Sequence, residues 1–145
     1  MPIGDETAQS RSERRRGRLE TLRLRAVMPI LAVSDLERSL SWYRDILGFV
    51  AAEELRERDR LVAVQLKAGK VRFLLEQEAE PPAGPRGQGV RLYCATRQDV
   101  TRLAGLIQER GGVIEQAPDD SHGGRDFGVV DPDGYRISIF WRSES

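Results

Sequence analysis

Apolar and branched residues alternate with polar ones over 22–33, which predicts a strand. The alternation stops at Ser34-Asp35, residue types whose side chains cap helix N-termini by accepting backbone N–H bonds. Beyond them Leu36, Leu40, Tyr43 and Leu47 recur at helical spacing, and Gly48 ends the run, so 35–47 is predicted to be a helix. Trp42 lies off that stripe and is expected at an edge or a subunit contact. Three short strands are predicted next, over 49–55, 61–66 and 70–76, with a turn at Lys67-Ala68-Gly69. Residues 78–89 carry Pro81, Pro82 and Pro85 together with glycines, and read as a linker.

The same plan then returns. A strand over 90–96 leads to a helix over 99–110 with Val100, Leu103, Leu106 and Ile107 on one stripe. Gly111-Gly112 stops it, and strands follow over 113–116, 126–130 and 135–141. Asp131-Pro132-Asp133-Gly134 forms the last turn. The two copies stand 64 residues apart: Asp35 meets Asp99, Gly48 meets Gly112, Phe49 meets Val113, Arg72 meets Arg136 and Phe73 meets Ile137. Two helix caps and two helix stops in register predict a single α+β domain of two βαβββ modules, over 22–77 and 90–142, paired about a pseudo-twofold.

The segment 1–21 breaks this pattern. Arg11, Arg14, Arg15, Arg16 and Arg18 crowd a polar stretch whose acids nearly cancel their charge, so it is expected to be a solvated arm ahead of a domain at 22–145. No aromatic residue is interleaved there to stack on bases, and the whole chain balances 23 basic against 23 acidic residues. Nucleic acid and anionic membranes are therefore not expected partners. No apolar run approaches a membrane span, and the sole cysteine, Cys94, allows neither an internal disulfide nor a cysteine-based zinc cluster. A reducing cytoplasm is the expected location.

Two stretches, Leu31 through Leu40 and Trp42 through Phe49, together with the Asp131–Tyr135 turn, resemble the vicinal oxygen chelate superfamily of glyoxalases, bleomycin-resistance proteins and ring-cleaving dioxygenases. The resemblance covers residues 24–142. It implies two curved sheets with outer helices forming an open half-barrel around a cleft, and pairing into homodimers. It also implies a divalent metal at four inherited positions, which here read Met28, Leu74, Leu92 and Ser138. A thioether, a hydroxyl and two hydrocarbons make a poor ligand set for such an ion. No metal, cofactor or catalytic residue is therefore assigned.

Strand alternation sorts the remaining lining. Phe73, Leu75, Ile137 and Ile139 are expected to face the helices. Met28, Ile30, Arg72, Leu74, Glu76, Leu92, Cys94, Arg136, Ser138 and Phe140 are expected to face the cleft. Arg72 and Arg136 are suited to hold a carboxylate or phosphate. His122 and Arg125, in the polar loop 119–125, are placed at the cleft mouth, where a histidine is able to shuttle protons. The leading expectation is a metal-free protein that binds a small apolar or anionic ligand, similar to the bleomycin-resistance branch. Two alternatives stay open: a metal-dependent lyase, isomerase or dioxygenase with displaced ligands, and a dimeric interaction module that works through the basic arm.

Overall fold

A computed structural model describes residues 21–80, 84, 86–119 and 125–143; the arm over 1–20 and His122 lie outside the described residues. Two modules are present, each a helix on a four-stranded sheet. In the first, β1 (Ile30–Val33) leads into α1 (Leu36–Ser41), which continues as a π-helical turn (Trp42–Leu47). The strands β2 (Val50–Glu57), β3 (Arg60–Ala68) and β4 (Val71–Gln77) follow. In the second, β5 (Arg91–Thr96) and α2 (Val100–Glu109) precede β6 (Ile114–Asp119), β7 (Asp126–Val130) and β8 (Arg136–Trp141). Strand orders are β1-β4-β3-β2 and β5-β8-β7-β6. The first strand of each module runs parallel to the last, and the other pairs are antiparallel. The expected module repeat is this topology, and the two sheets remain separate rather than closing.

The caps act as the sequence predicts. Asp35 accepts the Arg38 N–H at 3.1 Å, and Asp99 accepts those of Thr101 and Arg102 at 3.0 and 3.2 Å. Gln77 adds a further cap by accepting the Leu36 N–H at 2.8 Å. Gly48 closes the first helix in the left-handed region at φ 83°, a conformation that only glycine enters without strain. The expected helix over 35–47 thus holds in extent, but its second half widens to π geometry. The long strand expected over 22–33 shrinks to Ile30–Val33. Its pairing with β4 runs only from Ile30 beside Leu74 to Val33 beside Gln77, and Leu22, Leu24 and Val27 stay exposed.

Each helix packs on the inner face of its own sheet. Leu31, Val33, Phe73 and Leu75 are buried with Leu36, Leu40 and Tyr43 in one module, and Phe127, Val129 and Ile137 with Val100, Ala104 and Ile107 in the other. The modules meet through these helix-bearing sides. Gly112 lies so close to the neighbouring module that a Cβ there would stand 2.7 Å from Ile46 Cγ2 and 2.5 Å from Ile107 Cγ2. Polar contacts, buried or part-buried, also join the modules. Tyr43 donates its hydroxyl to Asp131 Oδ2 at 2.7 Å, and Tyr135 donates to the Ala32 carbonyl at 2.8 Å. Asp133 receives the Ser34 hydroxyl at 2.6 Å, the Ser34 N–H at 3.2 Å and the Arg86 guanidinium at 3.0 Å. Arg86, from the linker, also grips Glu78 at 2.7 and 2.9 Å. The two most recognisable sequence stretches therefore touch each other. They bolt the modules together.

Candidate functional site

With the helix-bearing sides at the seam, the helix-free face of each sheet lies on the far side from it and is largely uncovered. On the first sheet, register sets Ile30 beside Leu74, Ala32 beside Glu76, and Arg72 beside Lys67. Ile30 is 59% exposed, and Met28, just before it, is also exposed. Arg72 donates to Gln65 Oε1 at 2.7 Å on that surface. The expected first-sheet residues Ile30, Arg72, Leu74 and Glu76 thus share one open face, and Met28 precedes the strand.

The second sheet requires a correction. In parallel strands, directly paired residues point to the same side. β5 pairs with β8 as Leu92 with Ile137, Tyr93 with Ser138, Cys94 with Ile139, and Arg91 with Arg136. Leu92 and Cys94 consequently face the helices together with Ile137 and Ile139, opposite to expectation, and both pack against the core. The residues on the open face are Arg91, Tyr93 and Ala95. The cause is one residue. A single residue, Ser34, separates the end of β1 from the cap Asp35, whereas Arg97 and Gln98 separate β5 from Asp99. The offset of 64 that aligns the helices misaligns the opening strands by one position, and a one-residue slip turns every side chain over. Aligning strand ends rather than helix caps would have revealed Arg91 and Tyr93.

This face of the second sheet is a shaped surface. Tyr93 stacks on Phe140 with ring centroids 4.1 Å apart and planes 16° from parallel. Tyr93 is nevertheless 60% exposed, so the outer side of the stack is available. Ser138 lies between Tyr93 on β5 and Gly128 on β7 and is only 4% exposed. Its hydroxyl makes no hydrogen bond to another described residue, an uncommon state for a buried donor. Arg91 and Arg136 flank one end. Among the described residues Arg136 has only a long, exposed contact with Glu115 at 3.8 Å. At that end a recess of about 600 Å³ opens, lined by Arg86, residues 87–91, Gly134 and Arg136. Arg125 does not join this group. It turns to the helix side and donates to the Thr101 hydroxyl.

The metal positions can be tested against the same register. The slip replaces Leu92 by Arg91, so the set becomes Met28, Leu74, Arg91 and Ser138. A guanidinium cation repels a metal ion, a leucine offers no lone pair, and a thioether and a serine hydroxyl are weak ligands for a hard dication. Among the described residues no group of three or more His, Cys, Asp or Glu gathers elsewhere. The donor set does not fit the divalent ion implied by the superfamily.

Two βαβββ modules, each opened by a strand parallel to its last, make up the vicinal oxygen chelate architecture. The chain belongs to the Glyoxalase/Bleomycin resistance protein/Dioxygenase superfamily, whose sequence model matches residues 23–139. The fold is similar to that of TnmS3, an antibiotic binding protein from Streptomyces sp. CB03234, with 22% identity and a TM-score of 0.63 over 84% of this chain and 100% of that one. It is also similar to hypothetical protein SA1046 from S. aureus, with 22% identity and a TM-score of 0.62 over 82% and 98%. A V278E glyoxalase I mutant from Zea mays aligns at 22% identity and a TM-score of 0.64 over 83% of this chain but 45% of its own. No curated protein sequence matches. No helix among the described residues is long and apolar enough to cross a membrane.

Proposed function

We propose that the protein binds a flat, apolar or aromatic small molecule bearing an anionic group, without a metal, on the open face of the second sheet. The carrying observation is the exposed Tyr93–Phe140 stack beside the Ser138 hydroxyl, which has no partner among the described residues, with Arg91 and Arg136 at one end. Stacking on an aromatic pair contributes about 0.5–1.5 kcal/mol beyond the area it buries. A carboxylate held by a guanidinium contributes about 1.5–3 kcal/mol more. The antibiotic-binding relative supports a role in sequestering ligand.

Within one chain the open faces lie on opposite sides of the seam, so neither covers the other. A second copy, set so that the Ile30–Leu74–Glu76 face of one chain lies over the Tyr93–Phe140 face of the other, would enclose the ligand and bring Arg72 and Arg136 together. The uncovered Leu22, Leu24, Val27, Val50 and Leu55 support such a homodimer. The test is a titration with naphthalene-2-carboxylate, read by thermal shift and tyrosine fluorescence alongside sedimentation analysis. Binding to a dimer, weakened about tenfold or more by Arg136→Gln and by Tyr93→Ala, is expected. Unaltered affinity in both variants would overturn the assignment of this face.

A further inference from the structure

We propose that a groove on the helix side of the seam is a second ligand site, separate from the open sheet face, that takes a monocarboxylate with an extended apolar body. The groove encloses about 600 Å³, within the usual range for a small-molecule site. The first module supplies Leu47, Phe49 and Val71 to its walls, and the second supplies Leu103, Ile107 and Ile139. Among the described residues no aspartate or glutamate lines it, whereas two cations do: Lys70 on the β3–β4 turn and Arg110 at the end of α2. Both are exposed, and neither side chain makes an ion pair or hydrogen bond to another described residue. Arg110 leans across the seam, with Nη1 3.3 Å from where a Cβ on Gly48 would sit.

An apolar trough with positive charge at its rim and no compensating acid complements one kind of molecule. An alkyl or aryl body fills the trough, and its carboxylate reaches Lys70 and Arg110. A cationic ligand would meet repulsion, and a neutral one would leave both charges unmatched. The site is independent of the open face because Tyr93 and Cys94, neighbours on β5, point to opposite sides of the same sheet. Cys94 lines the groove, and burial pushes its thiol up from the ordinary value. It is the only cysteine in the chain, so its reactivity reports on this groove alone.

The experiment follows the rate at which a thiol reagent modifies Cys94 in the full chain, in mildly alkaline buffer. Dodecanoate, dodecyltrimethylammonium and 1-dodecanol are compared below their aggregation limits. Saturating dodecanoate is expected to slow modification about tenfold, and the other two probes to give far weaker protection. Lys70→Gln with Arg110→Gln is expected to weaken dodecanoate at least tenfold while melting as the wild type does. Lys70→Gln alone, at an exposed turn, serves if the double variant is unstable. Tyr93→Ala is expected to leave protection unchanged, which separates this site from the one proposed above. Equal protection by cation and anion, no protection, unchanged affinity in the glutamine variants, or slowing that tracks self-association rather than added dodecanoate would each overturn the proposal.

Discussion

Replacing Tyr43 by Phe removes one oxygen from the seam and leaves the hydrocarbon packing in place. Tyr43 is 0% exposed and sits edge-on to Trp42, Phe49 and Phe73, contacts that a phenylalanine ring keeps. Its hydroxyl is 2.7 Å from Asp131 Oδ2, and Asp131 is 4% exposed. The other carboxylate oxygen already receives the N–H groups of Asp133 and Tyr135, at 2.9 and 2.8 Å. Deleting the hydroxyl thus leaves one buried, charged oxygen without its donor, which costs about 2 kcal/mol. For a chain of this size that is a fall in Tm of about 6–8 °C. The pH dependence supplies a sharper test. Burial pushes the Asp131 carboxyl up, and this outweighs the hydrogen bonds that pull it down. A carboxyl raised in the folded state binds more protons there than in the unfolded chain. Its ionisation therefore destabilises the fold above the folded pKa, and that penalty is relieved as pH falls through the folded value toward the unfolded one. Once Asp131 is protonated, the missing hydroxyl is only a neutral partner lost. The gap between wild type and Tyr43→Phe should therefore shrink to about 1 kcal/mol in acid. Urea unfolding of wild type, Tyr43→Phe, Asp131→Asn and the double variant, at neutral and acid pH, measures each term. A neutral-pH loss under about 0.5 kcal/mol, or a loss that grows as pH falls, would refute the reasoning.

Other consequences follow from the same structure. Gly112→Ala would press a methyl onto Ile46, Ile107 and the Ile107 carbonyl, so it should destabilise by about 1–3 kcal/mol in urea unfolding. Pairing it with Ile46→Ala or Ile107→Ala should recover little, because a backbone oxygen 3.0 Å away remains. The β2–β3 turn places Arg58 and Asp59 at φ 51° and 66°, values that Asn-Gly adopts readily. Arg58→Asn with Asp59→Gly should therefore raise stability by about 0.5–1 kcal/mol, seen as a higher urea midpoint. Prolonged dialysis against a chelator should shift neither Tm nor naphthalene-2-carboxylate binding; elemental analysis finding stoichiometric metal whose removal lowers either would revive the metal-enzyme reading.

The module repeat was readable because caps and stops are local chemistry. Ser34-Asp35, Asp99, Gly48 and Gly111-Gly112 mark helix ends wherever the rest of the chain goes, since they answer to backbone groups within a few residues. Side-chain facing in β4 and β8 was equally legible from alternation, which is why Arg72, Leu74, Glu76, Arg136, Ser138 and Phe140 fall on the helix-free faces. The opening strand of the second module failed the same reading. Its facing depends on which residue of β8 lies beside it, a pairing across more than forty residues that one extra loop residue shifts unseen.

Two further matters belonged to the assembled structure. The Asp131-Pro132-Asp133-Gly134 turn announces itself in the sequence, but only packing shows that its carboxylates are spent on Tyr43, Ser34 and Arg86 at the seam. The order of residues alone thus determined element types, module count and family, because these depend on near neighbours and periodicity. Which faces lie open, which oxygens find donors and where Tyr93 points were decided by contacts between distant segments, since burial and partnering are properties of the packed whole.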